Sequence, residues 1–190
     1  MKLLLIRHGM TEANEKRLYC GSTDLPLSER GKAGLEALKR TARYPVPDGA
    51  RFITSGAERC RETLYILFGE SESETETRFG EMDFGEFEMK SYEELKENAA
   101  YIEWISGDNE ANVCPGGESG KIMKARVLSA LEKLIEDNKN AVMIAHGGVI
   151  AAIMEHLFPQ EQKNRYEWQP GCGKGYAVDT GAWTYSEIPF

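Results

Sequence analysis

The stretch KLLLIRHG at residues 2–9 joins four consecutive apolar residues to an arginine, a histidine and a glycine. An uninterrupted apolar run of this length is typical of a strand that is buried on both faces of a parallel sheet. The stretch AVMIAHGG at residues 141–148 repeats the pattern, with a second histidine directly after the apolar run. The two stretches therefore predict two buried parallel strands that end at His8 and His146.

A third strand is predicted from Arg51 to Thr54, although its apolar run is weaker, and a polar segment that ends at Arg59 follows it. In open α/β sheets, ligands bind in the crevice outside the carboxyl ends of the parallel strands. We therefore expect Arg7, His8, Arg59 and His146 to lie near one another at that edge of the sheet.

Helical patterns follow the predicted strands and produce an α/β alternation. Three helices are predicted to begin near Ser28, Glu58 and Gly148, and a long amphipathic helix is predicted from Ser119 to Asp137.

Two further segments complete the predicted sheet. Tyr176 to Glu187 carries Asp-Thr-Gly between residues of high strand propensity, which predicts a closing antiparallel hairpin. Gly69 to Arg78 alternates acidic residues with serine and threonine, which indicates a solvated loop or an edge strand. The fold predicted from these elements is a three-layer α/β sandwich, in which a mostly parallel, mixed sheet is flanked by helices.

The composition restricts the size and the partners of the protein. A chain of 190 residues, 41% hydrophobic and 28% charged, predicts one globular domain over residues 1–190. The formal net charge of -8 argues against nucleic acid or an anionic membrane as a partner. It allows a small anionic substrate that is bound by a local cluster of Arg and His. A homodimer is compatible with the sequence.

The N-terminal apolar run is too short for a signal peptide or a membrane-spanning helix, which predicts a cytoplasmic protein. The four cysteines contain no C-x-x-C pair, so we expect reduced thiols rather than a zinc site or a disulfide framework.

Five sequence blocks, in order, resemble the signature of the histidine phosphatase (phosphoglycerate mutase-like) superfamily. RHGMTEAN at residues 7–14 is similar to the R-H-G-x-T-x-x-N motif, and DLPLSERG at residues 24–31 extends this similarity. TSGAERCRET at residues 54–63 resembles the block of the second arginine, with Cys60 in place of the usual alanine. The remaining three blocks are EMDFGEFE at residues 81–88, GGES at residues 116–119 and AHGG at residues 145–148.

The resemblance implies a phosphatase that uses no metal and no cofactor, in which His8 attacks a small-molecule phosphate monoester and is transiently phosphorylated. Imidazole is nucleophilic near neutral pH without a separate base, which fits this role. Arg7, Arg59 and His146 are implied to hold the phosphoryl oxygens, and the charge of the two arginines would keep His8 unprotonated. Such a cage supplies the positive charge that other enzymes take from magnesium.

Asn14 and Gly147 are further residues that the resemblance implies at the phosphate. It also implies that Glu81 protonates the leaving group and later activates water. From the residues alone the choice of acid stays open, because Asp83, Glu86 and Glu88 lie close by in the sequence.

The segment at about 84–118 is predicted to form a helical cap over the pocket, and its sequence narrows the branch of the superfamily. GEFEMK at residues 85–90, followed by Tyr101 to Trp104, is similar to α-ribazole phosphatases, which remove the 5′-phosphate of α-ribazole 5′-phosphate during assembly of the cobalamin nucleotide loop.

Three other functions stay open. One is a broad-specificity phosphatase of sugar or nucleotide phosphates. Another is a cofactor-dependent phosphoglycerate mutase, although such chains are usually longer after the block of the acid. The last is a non-catalytic binding protein on the same fold, against which the presence of all the named residues counts.

Overall fold

The computed structural model describes residues 1–70, 72–108 and 110–189, and its centre is one six-stranded sheet. The strands are ordered β3-β2-β4-β1-β5-β6. The four strands β3, β2, β4 and β1 run parallel to one another, whereas β5 pairs antiparallel with both β1 and β6. The strand bounds are β1 Lys2–Arg7, β2 Arg51–Thr54, β3 Glu74–Thr75, β4 Ala141–Ala145, β5 Gly175–Asp179 and β6 Thr184–Glu187.

Helices cover both faces of this sheet. Their bounds are α1 Glu12–Lys16, α2 Glu29–Thr41, α3 Glu58–Phe68, α4 Tyr92–Leu95, α5 Ala99–Ile105, α6 Gly120–Asp137 and α7 Gly147–Leu157. Short 3₁₀ helices lie at Thr77–Phe79, Gly85–Phe87 and Pro159–Glu161.

The two faces form two separate hydrophobic clusters, because successive side chains of a strand point to opposite faces. Leu3 and Leu5 of β1 pack in the cluster that contains the apolar residues of α6 and α7. Leu4 and Ile6 pack in the other cluster, which contains Leu35 of α2 and the apolar residues of α3. The predicted three-layer α/β sandwich with a mixed sheet is therefore confirmed.

The local signals in the sequence also match the structure. The Ser28 and Ser119 side chains cap the N-termini of α2 and α6 by accepting hydrogen bonds from Gly31 N and Ile122 N. The tail forms the predicted hairpin, β5 and β6, and the acidic segment contributes the short edge strand β3. The helix that was expected from Gly148 begins one residue earlier, at Gly147.

The segment at 84–118 contains α4 and α5 and packs around an aromatic cluster. Trp104 is buried there, with its ring centroid 5.8 Å from those of Tyr19 and Tyr101 and 5.6 Å from that of Phe87. Trp104 is thus a packing residue of this segment.

Candidate active site

The register of the sheet brings the two predicted histidines together. β1 and β4 pair in parallel with Arg7 opposite Ala145. The residue that follows each of these two is a histidine. The main-chain N–H of His8 donates to Ala145 O at 2.9 Å, which extends the ladder by one residue. As a result, the ring centroids of His8 and His146 are 5.2 Å apart.

The side chain of His8 is held in one tautomer. Its Nδ1 lies 2.6 Å from Gly9 O. Because a carbonyl oxygen can only accept, Nδ1 carries the proton in this assignment and the lone pair of a neutral ring is on Nε2. Burial, and then the positive charge of Arg59 and Arg7, lower the pKa of His8 from 6.5 to about 3. His8 is therefore an uncharged imidazole at neutral pH, with Nε2 as its nucleophilic atom.

His146 is also buried, and both of its ring nitrogens have partners. Ser55 Oγ lies 2.8 Å from Nε2, and Arg59 Nη2 lies 3.3 Å from Nδ1. Burial and the neighbouring His8 and arginine charges hold the pKa of His146 well below 6.5. The predicted contact of His146 with a phosphoryl group therefore requires one of these two contacts to be exchanged on binding.

Arg59 connects the helix α3 to the loop at residues 21–24. Its guanidinium donates to Gly21 O at 2.8 Å and to Thr23 O at 3.0 Å, and Asp24 lies 3.8 Å away. Only 2% of Arg59 is exposed. These contacts fix the planar cation beside His146, as a residue that binds phosphoryl oxygens requires.

Arg7 has the fewest protein partners of the predicted cage. Its Nη1 donates to Pro170 O at 2.9 Å. Its Nε is buried and has no hydrogen-bond partner within the described residues. An unpaired buried donor is costly, and an anionic ligand would offset that cost.

Glu81 approaches the N-terminus of α7 through its carboxylate. Oε2 accepts from Gly148 N at 3.0 Å, and Oε1 accepts from Met82 N at 3.0 Å. A Cβ at position 148 would lie only 2.5 Å from Glu81 Oε1, so the glycine makes this approach possible. Glu81 is thus held at the helix that follows His146.

The structure separates Glu81 from two of the three nearby carboxylates, Glu86 and Glu88, whereas Asp83 lines the same cavity. Glu88 accepts from the main-chain N–H groups of Gly21 and Thr23 and from other donors, so it organises the loop that Arg59 contacts. Asp83 accepts from Ser22 Oγ and Gly85 N. Glu86 is exposed. This placement favours Glu81 over Glu86 and Glu88 as the acid.

A cavity of about 620 Å³ lies outside the carboxyl ends of the parallel strands. Its wall includes Arg59, His146, Glu81, Asp83, Glu118 and Arg126. His8 is not part of this wall, but its ring centroid lies 5.2 Å from that of His146, which is. Among the described residues of the predicted cap at about 84–118, Glu118 alone lines it, and closure of the cap over a substrate stays a prediction. A larger cavity, of about 850 Å³, lies around Met1 and Lys2 at the opposite end of β1 and contains none of the predicted site residues.

Four predicted site residues are absent from the cavity wall, namely Arg7, His8, Asn14 and Gly147. The Oδ1 of Asn14 accepts from Thr11 N and Thr11 Oγ1 in the capping box of α1. Gly147 is the first residue of α7, directly after His146, so its main-chain N–H lies at the positive end of that helix.

Comparison with known proteins agrees with this geometry. The sequence model of the histidine phosphatase superfamily (branch 1) matches residues 3–188. The chain belongs to this superfamily.

Named relatives place the chain near two branches of the superfamily. It is 28% identical to an adenosylcobalamin/α-ribazole phosphatase of Salmonella typhimurium, over 94% of this chain and 90% of the relative. It is also 28% identical to a 2,3-bisphosphoglycerate-dependent phosphoglycerate mutase 2 of Lactiplantibacillus plantarum, over 82% and 83% of the two chains. The crystal structure of an α-ribazole phosphatase from Shigella flexneri superimposes with a TM-score of 0.84 at 25% identity, over 100% of this chain and 96% of the other. The chain is a phosphatase of this superfamily.

Sequence reasoning about this histidine phosphatase missed the residues that support the site. Ser55 and Thr63 stand within the block that contains Arg59, and Thr63 Oγ1 accepts from Gly9 N at 2.9 Å. Their position in the same block as Arg59 was the sequence signal that could have identified them as supporting residues.

Arg126 was also missed, and it fixes the segment before and including Glu81. It donates to the main-chain oxygens of Arg78, Gly80 and Glu81 and to both carboxylate oxygens of Glu118. Nothing in the sequence distinguished Arg126 from other polar residues of a long amphipathic helix, since its partners are mostly main-chain atoms.

Within the part of the chain that the structure describes, no three His, Cys, Asp or Glu side chains are grouped in a way that would hold a metal ion. Independence of metals stays a prediction, which turnover in the presence of a chelator would test.

Proposed function

We propose that this phosphatase hydrolyses a small-molecule phosphate monoester through a phosphohistidine on His8. The observation that carries the proposal is the state of His8: a buried, uncharged imidazole with its Nδ1 proton held by Gly9 O and with Arg59 and His146 beside it. A neutral imidazole with a fixed tautomer is a competent nucleophile, and adjacent guanidinium groups stabilise the charge of the phosphoryl oxygens.

The first step forms the phosphoenzyme. His8 Nε2 attacks phosphorus while the bond between phosphorus and the ester oxygen breaks. The protonated Glu81 donates its proton to that oxygen, so the leaving group departs as an alcohol. Arg7 and Arg59 hold the equatorial oxygens, and Gly147 N–H adds a donor at the positive end of α7.

The second step regenerates the enzyme. Glu81, now a carboxylate, accepts a proton from water as the water oxygen attacks phosphorus. The bond between phosphorus and His8 Nε2 breaks, and its electron pair returns to the ring. Inorganic phosphate leaves, and Glu81 is protonated again.

We propose α-ribazole 5′-phosphate as the substrate. Support comes from the names of the Salmonella and Shigella relatives and from the similarity of residues 85–90 to that branch. The similarity to a phosphoglycerate mutase keeps mutase activity as the second candidate.

The test is a substrate panel with the purified full chain. α-Ribazole 5′-phosphate should give the highest kcat/KM among sugar phosphates, nucleoside monophosphates and 3-phosphoglycerate. Isomerisation of 3-phosphoglycerate faster than its hydrolysis would instead establish the mutase. Turnover should be the same with and without EDTA, because the arginines supply the charge that a metal would supply elsewhere.

We also propose that the chain acts as a single domain with a cap at about 84–118, that it works in the cytoplasm and that it can form a homodimer. No helix among residues 1–70, 72–108 and 110–189 is long and apolar enough to cross a bilayer.

A further inference from the structure

The charges in the cavity wall point to the chemistry of the leaving group. We propose that Asp83 selects monoesters whose leaving group is uncharged and hydroxylated, and disfavours leaving groups that carry a carboxylate or a second phosphate. The proposal rests on the phosphatase function above and specifies its substrate class.

Arg126 is not available to bind a second anionic group of the substrate, because it has neither a free hydrogen-bond donor nor an uncompensated charge. A guanidinium has five N–H donors, and all five of Arg126 are used. Three of its hydrogen bonds go to main-chain oxygens of the segment that ends at Glu81, and two go to Glu118. Its charge is compensated by Glu118, whose carboxylate lies 2.7 Å from Nη2.

The other two arginines of the wall are also restricted. Arg59 lies beside His146, where the transferred phosphoryl group is expected, and already bonds two main-chain oxygens. Arg61 is exposed and directs Nη1 to Gly56 O, so it belongs to the solvent-facing rim.

Asp83 is different because its charge is not compensated. It lines the cavity two residues after Glu81, and its hydrogen-bond partners, Ser22 Oγ and Gly85 N, are both neutral. It forms no ion pair with any residue in the described ranges. Asp24, a further carboxylate of the cavity wall, differs from Asp83 because it forms an ion pair with Arg59 at 3.8 Å, and it also accepts from Glu58 N at the start of α3.

A leaving group that receives a proton from Glu81 extends along the same loop, toward Asp83. A carboxylate or phosphate there would meet a like charge without a compensating cation, which is unfavourable. Hydroxyl groups would instead meet acceptors on Asp83 and the neutral side chains of Ser22, Thr75 and Thr77, which also line the cavity. A ribose or another polyol fits this wall.

The test uses two probe substrates that differ only at the far end of the leaving group. One is 3-phosphoglycerate, which ends in a carboxylate, and the other is the glycerol phosphate of matching configuration, which ends in a hydroxymethyl group. The wild type should hydrolyse glycerol phosphate with a kcat/KM about three- to tenfold higher at low ionic strength. The selectivity ratio is kcat/KM for glycerol phosphate divided by kcat/KM for 3-phosphoglycerate. Added salt should bring this ratio toward one, because it screens charges in an open cavity.

Asp83→Asn keeps the oxygen that accepts from Ser22 and Gly85 but removes the charge. Its ratio should fall to within about twofold of one. Glu86→Gln is the matched control, since Glu86 is an exposed carboxylate on the same segment and does not line the cavity. Glu86→Gln should keep the wild-type ratio.

Three results would overturn the proposal: a wild-type preference for 3-phosphoglycerate, an Asp83→Asn ratio equal to that of the wild type, or a wild-type ratio that does not change with salt. The salt dependence of the wild-type ratio tests the proposal even if Asp83→Asn does not fold. Turnover of both probes with a ratio independent of Asp83 leaves the phosphatase function standing and removes only the selectivity. Absence of turnover and of phosphohistidine removes both.

Discussion

The proposed nucleophile, His8, and the proposed acid, Glu81, are fixed by different kinds of contact. His8 and His146 extend neighbouring parallel strands, and Arg59 stands on the first turn of α3, so regular secondary structure sets their positions. Glu81 stands in a loop between two 3₁₀ helices, where side chains that bond to the main chain fix its backbone.

The two halves of the site should therefore respond differently to substitutions. The half of the site that carries His8 should depend on the identity of each side chain, because the sheet holds the backbone in any case. The half that carries Glu81 should depend on remote residues as well, because Arg126 and Gly148 hold the loop and the carboxylate. The predictions below test that contrast from the largest expected effect to the smallest.

His8→Ala should lose the nucleophile without disturbing the sheet. We expect a loss in kcat of at least about 10⁴-fold, as for removal of a nucleophile in other covalent enzymes. Substrate labelled in its phosphate and quenched in alkali should leave label on the wild type and none on the variant, since phosphohistidine survives alkali. Label retained by a folded His8→Ala would show that another residue is phosphorylated.

Glu81→Gln should slow the attack on alkyl phosphates by about 10²- to 10⁴-fold, because their leaving oxygen needs a proton as the bond breaks. p-Nitrophenyl phosphate should be affected much less, since p-nitrophenolate leaves as a stable anion. The burst phase must be measured, because the later hydrolysis of phosphohistidine also uses Glu81. Equal losses for both esters would mean that Glu81 only shapes the pocket, and Asp83 would become the next candidate.

Arg126→Lys keeps a cation opposite Glu118 but cannot bond three main-chain oxygens at once. We expect a loss of about 10- to 100-fold on alkyl phosphates, because a small misplacement of a reacting group is costly. As with Glu81→Gln, p-nitrophenyl phosphate should be affected less. A nearby exposed ion pair provides the control: Lys121→Arg, opposite Asp108, should change neither rate.

If Arg126→Lys lost the same factor in rate with both esters, Arg126 would maintain the fold rather than the position of Glu81. A thermal unfolding curve measured beside the kinetics distinguishes a partly unfolded sample from a misplaced loop.

The smallest expected effect is on stability, and it concerns the buried histidine. His8 has a pKa of about 3 in the folded protein against 6.5 when unperturbed. Between these values the unfolded chain binds a proton that the folded protein does not, so stability falls as pH falls below about 6.5. From pH 7 to pH 5 the wild type should lose about 2 kcal/mol more than His8→Asn.

Urea unfolding at pH 7, 6 and 5 measures this difference, and His156→Asn, which replaces an exposed histidine, controls for the number of histidines. Identical pH dependence in the wild type and His8→Asn would mean that His8 titrates normally in the folded protein.

Much of the half of the site that carries His8 could be predicted from the sequence. Residues 3–6 and 141–145 are apolar without interruption, which is typical of strands covered on both faces. Parallel pairing then places the residues that follow, His8 and His146, at one edge. Arg59 follows the third strand within a few residues, so its place was also predictable.

The half that carries Glu81 was predicted only in part. Four carboxylates lie within residues 81–88, and local sequence does not say which of them faces the cavity, because a loop has no side-chain period. The resemblance selected Glu81, and the structure gives Glu88 a set of main-chain partners instead.

The sequence by itself determined the α/β alternation, the buried strands β1 and β4 and the edge at which the histidines meet, since these follow from short-range apolar patterns and strand direction. Only the tertiary structure decided what Arg126, Glu118 and Asp83 do. Asp83 contacts Glu118 and Ser22, which lie 35 and 61 residues away in the sequence. The main-chain oxygens that Arg126 contacts lie 45 to 48 residues away from it. Hydrogen bonds to distant main-chain atoms leave no pattern in the side chains, and whether a charge is compensated depends on which groups the fold brings into contact.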